Sequence, residues 1–245
     1  LSPLAAQKHI NMAFYYAENI PQHVVGDALR FKQILTNLIS NAIKFTPDGE
    51  IIVRVRMEDD DIGQCLLHFS VQDSGIGLSG TDRKKLFESF SQGDASVTRQ
   101  FGGTGLGLAI SKQLVHLMHG QIGFEDNQER APTEKGSTFW FTASFKVDEQ
   151  DEFVERPHFD HLQVVSYLAH PATASVLRSY LENYRVSHIE TQSILDLFSR
   201  LNHLNQQENT WLIVDHSGDT EALLKEIRQR YQGNLAVYGY QMSLE

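Results

Sequence analysis

Gln33, Asn37, Asn41 and Lys44 recur at spacings of four, four and three residues, which on a helix lines them along one face. An amide oxygen can complete the octahedron of a Mg2+ whose other ligands are phosphates and water, and a lysine can meet phosphate charge. The same pattern fits a solvated polar face, the ordinary counterpart of a buried apolar stripe. A second stretch, Asp73-Ser74-Gly75-Ile76-Gly77-Leu78-Ser79-Gly80, spells G-x-G-x-x-G after a strand-like run. A dinucleotide-binding turn would need those glycines to open a helix within a βαβ unit. Here an acidic residue comes first, no helix begins at the glycines, and the neighbouring strands have hairpin order. Asp73 serves better as a carboxylate acceptor for an exocyclic amine such as that of adenine, with the glycines letting the backbone come close to the base. A turn without ligand is the competing reading of this stretch alone, since glycine and aspartate are ordinary turn residues.

The most specific stretch is Thr98-Arg99-Gln100-Phe101-Gly102-Gly103-Thr104-Gly105-Leu106-Gly107-Leu108-Ala109-Ile110, with four glycines in six positions just before and into a helix. Backbone N–H groups at a helix N-terminus, with the dipole behind them, form an anion site, and Arg99 adds charge of the right sign. No G-K-[ST] follows, so this is not a Walker A loop. No V-A-I-K, H-R-D or D-F-G set accompanies it, so it is not a protein-kinase glycine loop. Residues 91–104 are polar and glycine-rich, which suits a lid closing over a ligand.

These residues need elements to position them, and the pattern supplies those elements. Residues 27–45 read as a helix with Asp27 at the N-cap and Thr46-Pro47-Asp48-Gly49 as its terminating turn. Phe31, Ile34, Leu35, Leu38, Ala42 and Phe45 form its buried stripe. Glu50–Met57 and Leu66–Gln72 read as strands, 81–90 and 105–118 as helices, and Gln121–Asp126 and Ser137–Phe145 as strands. Beyond residue 158, strands Leu162–Leu168, Val186–Glu190, Thr210–Asp215 and Asn234–Tyr238 alternate with helices 171–184, 192–203 and 219–231. That alternation implies a parallel sheet with right-handed crossovers. Between the two parts lies an acidic run, Asp148, Glu149, Asp151, Glu152 and Glu155, closed by Arg156 and Pro157, which reads as an exposed linker. Fourteen of the 17 glycines precede it, so the expected organisation is 1–147, a linker at 148–157, and 158–245.

Composition bounds what the chain can be. Of its 245 residues 41% are hydrophobic, enough for a sizeable core, and no apolar run nears the ~18 residues of a membrane span. The net charge of −10 argues against a nucleic-acid partner, while leaving room for a small phosphorylated ligand in a basic pocket. A single cysteine, Cys65, forbids an internal disulfide and a cysteine-rich zinc site. His116 and His119 are neighbours at i, i+3 with no third ligand at metal spacing.

Taken together, the stretches resemble the ATP-binding catalytic domain of sensor histidine kinases, over roughly residues 1–147. Gln33 to Phe45 resembles the family's N box and Asp73-Ser74-Gly75-Ile76-Gly77 its G1 box. Leu86-Phe87-Glu88-Ser89-Phe90 is similar to the F box and Gly103-Thr104-Gly105-Leu106-Gly107-Leu108 to the G2 box. Gly136-Ser137-Thr138-Phe139 resembles the last motif, near the adenine. The resemblance implies a Bergerat α/β sandwich, a mixed sheet with helices on one face, binding ATP and Mg2+. It implies a catalytic set of Asn37, Asn41, Lys44 and Arg99. Asn41 would ligate Mg2+, Lys44 and Arg99 would contact phosphates, Asp73 would bind the adenine amine and Phe45 would pack near the base. Gly75, Ile76, Gly77, Phe90, Thr104, Leu106, Leu108 and Thr138 would line the nucleotide, and Gly103, Gly105 and Gly107 would shape the phosphate loop. Related ATPases place a glutamate at Asn37 as general base. An amide cannot take a proton at neutral pH, so slow hydrolysis and transfer to a histidine are expected, mainly by positioning and charge neutralisation. Gln92 stands where some histidine kinases carry arginine, leaving Arg99 as the expected cation.

None of the 11 histidines lies in a run like H-E-x-R-T-P, so the phosphoacceptor is expected on a dimerisation hairpin ahead of this segment. Residues 158–245 resemble a response-regulator receiver, a doubly wound flavodoxin-like fold, with Asp215 at the end of the third strand. Ser166-Tyr167-Leu168-Ala169-His170-Pro171 offers no acidic pair for Mg2+, and the segment stops at the fourth strand, which implies a degenerate, truncated pseudo-receiver. The order is similar to hybrid sensor kinases of the BarA type. It implies as partners the chain's own upstream hairpin and a downstream receiver, phosphotransfer domain or response regulator. Location would be cytoplasmic, with any membrane contact through upstream segments. The alternative reading is an ATPase or regulatory nucleotide-binding module of the same fold, with the receiver-like part a docking domain.

Overall fold

A computed structural model describes residues 2–61, 63–77, 86–87, 106–127, 136–148, 157–202, 209–215 and 220–238. The chain divides into two compact units, Leu1–Phe153 and Val154–Glu245. In the first, the described elements are α1 (Ser2–Gln7), β1 (Ile10–Tyr16), β2 (Val24–Val25), α2 (Ala28–Phe45), β3 (Gly49–Asp61), β4 (Gln64–Asp73), α3 (Gly107–Leu117), β5 (Ile122–Asp126) and β6 (Ser137–Val147). The sheet runs β1-β3-β4-β6-β2, with β5 also on β6. The β1–β3 pair is parallel and the others antiparallel.

Strand alternation sends every second side chain of a strand to one face. Along β4 that face carries Cys65, Leu67, Phe69, Val71 and then Asp73, all buried. Along β6 it carries Ser137, Phe139, Phe141, Ala143 and Phe145. Against these apolar side chains pack Ile34, Leu38, Ile39, Ala42 and Ile43 of α2 and Val115 of α3. Each fully buried Leu, Ile or Phe contributes about 1.5–3 kcal/mol. Phe31 seals the α2 end of the core, its ring 5.0 Å from Phe69, 6.2 Å from Phe141 and 6.0 Å from Phe145. The first inward slots toward the open end of both strands hold Asp73 and Ser137 in place of hydrocarbon. The register pairing Val71 with Phe139 and Gln72 with Thr138 brings those two residues opposite one another.

Helix α2 begins where expected: Asp27 accepts a hydrogen bond from the N–H of Arg30 (3.0 Å), and Thr46 closes the helix. The turn that follows ends at Gly49, whose φ of +123° suits glycine. The strand expected at Glu50–Met57 extends to Asp61 and pairs in a long hairpin with β4. The expected helix 81–90 lies outside the described residues apart from Leu86 and Phe87, which are in a turn. Elements α1, β1 and β2 were not anticipated from the sequence. The mixed sheet with helices packed on one face agrees with the α/β sandwich that the motif resemblance implies.

The second unit contains β7 (Gln163–Tyr167), α4 (Pro171–Asn183), β8 (Ser187–Glu190), α5 (Ile194–Leu201), β9 (Thr210–Asp215), α6 (Thr220–Arg230) and β10 (Asn234–Tyr238). Its sheet is parallel throughout, in the order β10-β9-β7-β8. Counted from β7 the strands lie 2-1-3-4, the order in which flavodoxin-like sheets begin. Val165, Leu197, Leu201, Leu212, Val214, Ile227 and Tyr231 form the core. Tyr231, fully buried, donates its hydroxyl to the carbonyl of Thr210 at 2.7 Å.

Candidate functional site

Asp73 is 3% exposed, and burial raises its pKa above the ordinary aspartate value, against the opposing pull of Ser137 and Gly75. Its Oδ1 accepts the backbone N–H of Gly75 (2.9 Å) and of Ser137 (3.3 Å). Its Oδ2 accepts the Ser137 hydroxyl at 2.7 Å. A carboxylate offers about four acceptor positions. Three are filled by the protein, and the capacity that remains is on Oδ2, suited to one external N–H donor.

The loop after Asp73 is pressed onto the end of α2. Ile76 N–H donates to the carbonyl of Phe45 at 3.3 Å, and a Cβ at Gly75 would sit 2.4 Å from that same oxygen. Gly75 is therefore required by close approach of backbone to backbone, while Gly77 has a φ of +69°. The remaining carbonyls at this helix end are held by Lys8, whose Nζ donates to Ile43 (2.7 Å), Lys44 (3.1 Å) and Thr46 (3.4 Å). A cation at a helix C-terminus satisfies orphan carbonyls and complements the dipole. Lys44 Nζ lies 4.9 Å from the centroid of the Phe45 ring.

At the other end of the site, α2 meets the start of α3. Asn37 Nδ2 donates to Ser111 Oγ at 2.9 Å. A Cβ at Gly107 would sit 2.5 Å from Asn37 Oδ1, so only glycine lets α3 begin this close to α2. The N-cap of α3, Leu106, makes no side-chain cap hydrogen bond, so its own side chain leaves the first-turn N–H groups uncovered. Asn37 and Asn41 are half-buried on the same helix. Phe45 and Asn37 stand eight residues apart, about 12 Å along the axis at the standard helical rise. Thus α2 spans from the Asp73 loop at its C-terminus to the start of α3.

Of the residues singled out from sequence, Asn37, Asn41, Lys44, Phe45, Asp73, Gly75, Ile76, Gly77, Leu106, Gly107 and Leu108 all fall on α2, the end of β4 and the loop after it, or the start of α3. Phe90, Arg99, Gly103, Thr104 and Gly105 lie outside the described residues. Thr138 sits on β6, where its hydroxyl donates to Asn127 Oδ1 at 2.8 Å; the direct partner of Asp73 is its neighbour Ser137. Sequence reasoning passed over Lys8, Asn127 and Ser137's contact, because each acts on a partner 35 or more residues away. Only the paired strand register could have flagged Ser137.

The second unit has its own polar cluster. Asp215, buried at the end of β9, accepts the backbone N–H of Ala169 at 2.6 Å. Buried Ser166 lies 2.8 Å from His188 Nε2, and burial lowers the pKa of that imidazole. Among the described residues no group of three or more His, Cys, Asp or Glu could hold a metal ion, and no helix is long and apolar enough to cross a membrane.

Comparison with known proteins agrees with the first unit's geometry. Residues 26–147 match the family described as histidine kinase-, DNA gyrase B-, and HSP90-like ATPase. The chain is 46% identical over 151 residues to sensor histidine kinase GacS of Pseudomonas protegens, covering 62% of this chain and 16% of GacS. It is 41% identical over 134 residues to the signal transduction histidine-protein kinase BarA of Escherichia coli K12, covering 55% of this chain and 14% of BarA. The chain thus spans only a small part of the length of these relatives. The crystal structure of full-length ShkA in complex with AMPPNP shares the fold, with a TM-score of 0.69 over 96% of this chain and 50% of that one, at 22% identity.

Proposed function

Since residues 26–147 belong to the histidine kinase-, DNA gyrase B-, and HSP90-like ATPase family and are homologous to hybrid sensor kinases, we propose that the chain is the catalytic part of such a kinase. It binds ATP with Mg2+ and donates the γ-phosphoryl to a histidine on a dimerisation hairpin. The observation that carries this reading is Asp73, an aspartate in an inward core slot with acceptor capacity to spare.

The residues present fit a nucleotide. Asp73 accepts the base amine, with the Gly75 backbone beside it held against Phe45 O. From there α2 leads past Lys44 and Asn41 to Asn37 and the uncapped start of α3, the order of base, then phosphates. Mg2+, when bound with the nucleotide, supplies neutralisation of charge on the phosphate oxygens, and the Asn41 amide oxygen is the group in this chain that would hold it. Lys44 holds phosphate charge from the same helix face, with Arg99 as its expected counterpart. Asn37 is tied to Ser111 and carries no basic atom, which disfavours activation of water and favours transfer over hydrolysis.

The second unit is read as a receiver-like domain without a working phosphorylation site. Its strand order and the position of Asp215 support the likeness. The backbone N–H of Ala169 stands where an acidic ligand for Mg2+ would be needed, and it draws the Asp215 carboxylate to itself. The full protein acts on the cytoplasmic side and passes its phosphoryl group to a receiver, phosphotransfer domain or response regulator. Titration of the chain with ATP, with and without Mg2+, in the native sequence and in Asn41→Ala, tests the reading. It predicts Mg2+-assisted binding weakened in the variant; equal affinity in all four titrations would refute it.

A further inference from the structure

The carboxylate of Asp73 is held by Ser137, but its main-chain carbonyl is held separately. Asn127, 2% exposed, donates Nδ2–H to the Asp73 carbonyl at 2.8 Å. The same amide accepts the Thr138 hydroxyl on Oδ1 at 2.8 Å, which fixes which way it faces. Gly136, at a φ of +92°, packs against the same carbonyl so closely that a Cβ there would sit 2.0 Å from its oxygen. The Asp73 carbonyl is thus held by a buried amide and packed by a bare glycine backbone. The loop 74–77 beyond it leaves the sheet after Ser74 bonds to Glu50 O at 3.0 Å.

We propose that Asn127 is a positioning residue for base recognition: through the Asp73 carbonyl it sets the depth of the Asp73 carboxylate and so the preference for purines with a 6-amino group. This rests on the reading of Asp73 as partner of the base amine. A hydrogen bond is made over a few tenths of an ångström around 2.9 Å and weakens steeply outside that range. Losing the amide removes the hydrogen bond that fixes the Asp73 carbonyl, so the Asp73 peptide can shift. The carboxylate then leaves the plane of the amine without leaving Ser137. Phosphate contacts, which stand on α2 and α3, are untouched by this movement.

The test is competitive titration of the full 245-residue chain with ATP and with purine riboside triphosphate, identical except for the missing 6-amine. The native chain is expected to prefer ATP about tenfold or more, as for a hydrogen bond to a charged group, and Asp73→Ala to abolish the preference. Asn127→Ala is expected to cut the preference about three- to tenfold by weakening ATP alone, a partial loss of that same bond, with affinity for the analogue unchanged. Thr138→Val, close in shape, removes the hydroxyl that orients the amide and is expected to lower the preference about twofold, the effect of one weakened neutral hydrogen bond. Loss of the preference in the native chain would overturn the reading of Asp73 and this proposal with it. A native-sized preference in Asn127→Ala, or an equal loss for both nucleotides, would overturn the role of Asn127 alone. If Asn127→Ala does not fold, an unchanged preference in Thr138→Val decides against it.

Discussion

Replacing Asp73 by asparagine separates what the residue does for the protein from what it does for a ligand. The two N–H groups that meet Oδ1, from Gly75 and Ser137, can keep an amide oxygen as acceptor. On the other side an NH2 replaces Oδ2, and the Ser137 hydroxyl can rotate from donating to accepting. Every internal partner therefore survives, while the position facing the base turns from acceptor to donor. Loss of a charge-assisted hydrogen bond is worth about 1.5–3 kcal/mol, or roughly 10- to 150-fold in ATP affinity. The pH response sharpens this. Burial raises the pKa of folded Asp73 above its unfolded value. Between those two values the folded protein holds the proton and the unfolded chain does not, so stability falls as pH rises through that window. ATP binding has the opposite slope, because the charged carboxylate is the better acceptor for an amine. Thermal denaturation and ATP titration across pH should show both contributions in the native chain and lack them in Asp73→Asn, the slopes from the other carboxylates, the histidines and the nucleotide being common to both proteins. An asparagine variant that binds ATP as tightly as the native chain, or that shows the same opposed slopes, would refute the assignment.

Other consequences follow from individual contacts. Lys8→Met should free three carbonyls at the end of α2, costing about 1–2 kcal/mol and lowering the midpoint of the first unit's thermal transition by a few degrees; an unchanged midpoint would show that the cap is idle. Gly107→Ala would drive a methyl group to 2.5 Å from Asn37 Oδ1; ATP affinity should fall several-fold, about 1 kcal/mol or more for a strained backbone approach, read by titration. Tyr231→Phe removes a buried hydroxyl from the Thr210 carbonyl and should destabilise the second unit by about 1–2 kcal/mol in urea denaturation, with ATP affinity unaltered.

Helix α2 was legible because its apolar residues recur every three to four positions and its ends carry an aspartate cap and a Pro-Asp-Gly turn. The β4 and β6 strands were legible from alternation, and the parallel second sheet from strands and helices in turn. Helix α1 was not: six residues without an acidic first turn or a basic last turn give no period to detect. Strand β1 reads INMAFYY, without a clean alternation of apolar and polar residues, and is defined by its parallel pairing to β3, a partner chosen by tertiary structure. Strand β2 is two residues long and exists through its pairing with the end of β6. At the site, motif spacing supplied the glycines and Asp73, since these need particular backbone geometry. It could not supply Lys8 or Asn127, ordinary polar residues whose function depends on carbonyls 35 and 54 positions away.

The central claim is transfer of a phosphoryl group to histidine, and it can be measured directly. The chain is incubated with γ-labelled ATP, Mg2+ and a separately produced dimerisation hairpin from a sensor kinase relative. The account predicts acid-labile label on the hairpin's histidine, absent with Asn41→Ala, and little free phosphate in the hairpin's absence. Steady release of phosphate with no label on a folded hairpin would contradict it and identify the first unit as an ATPase instead.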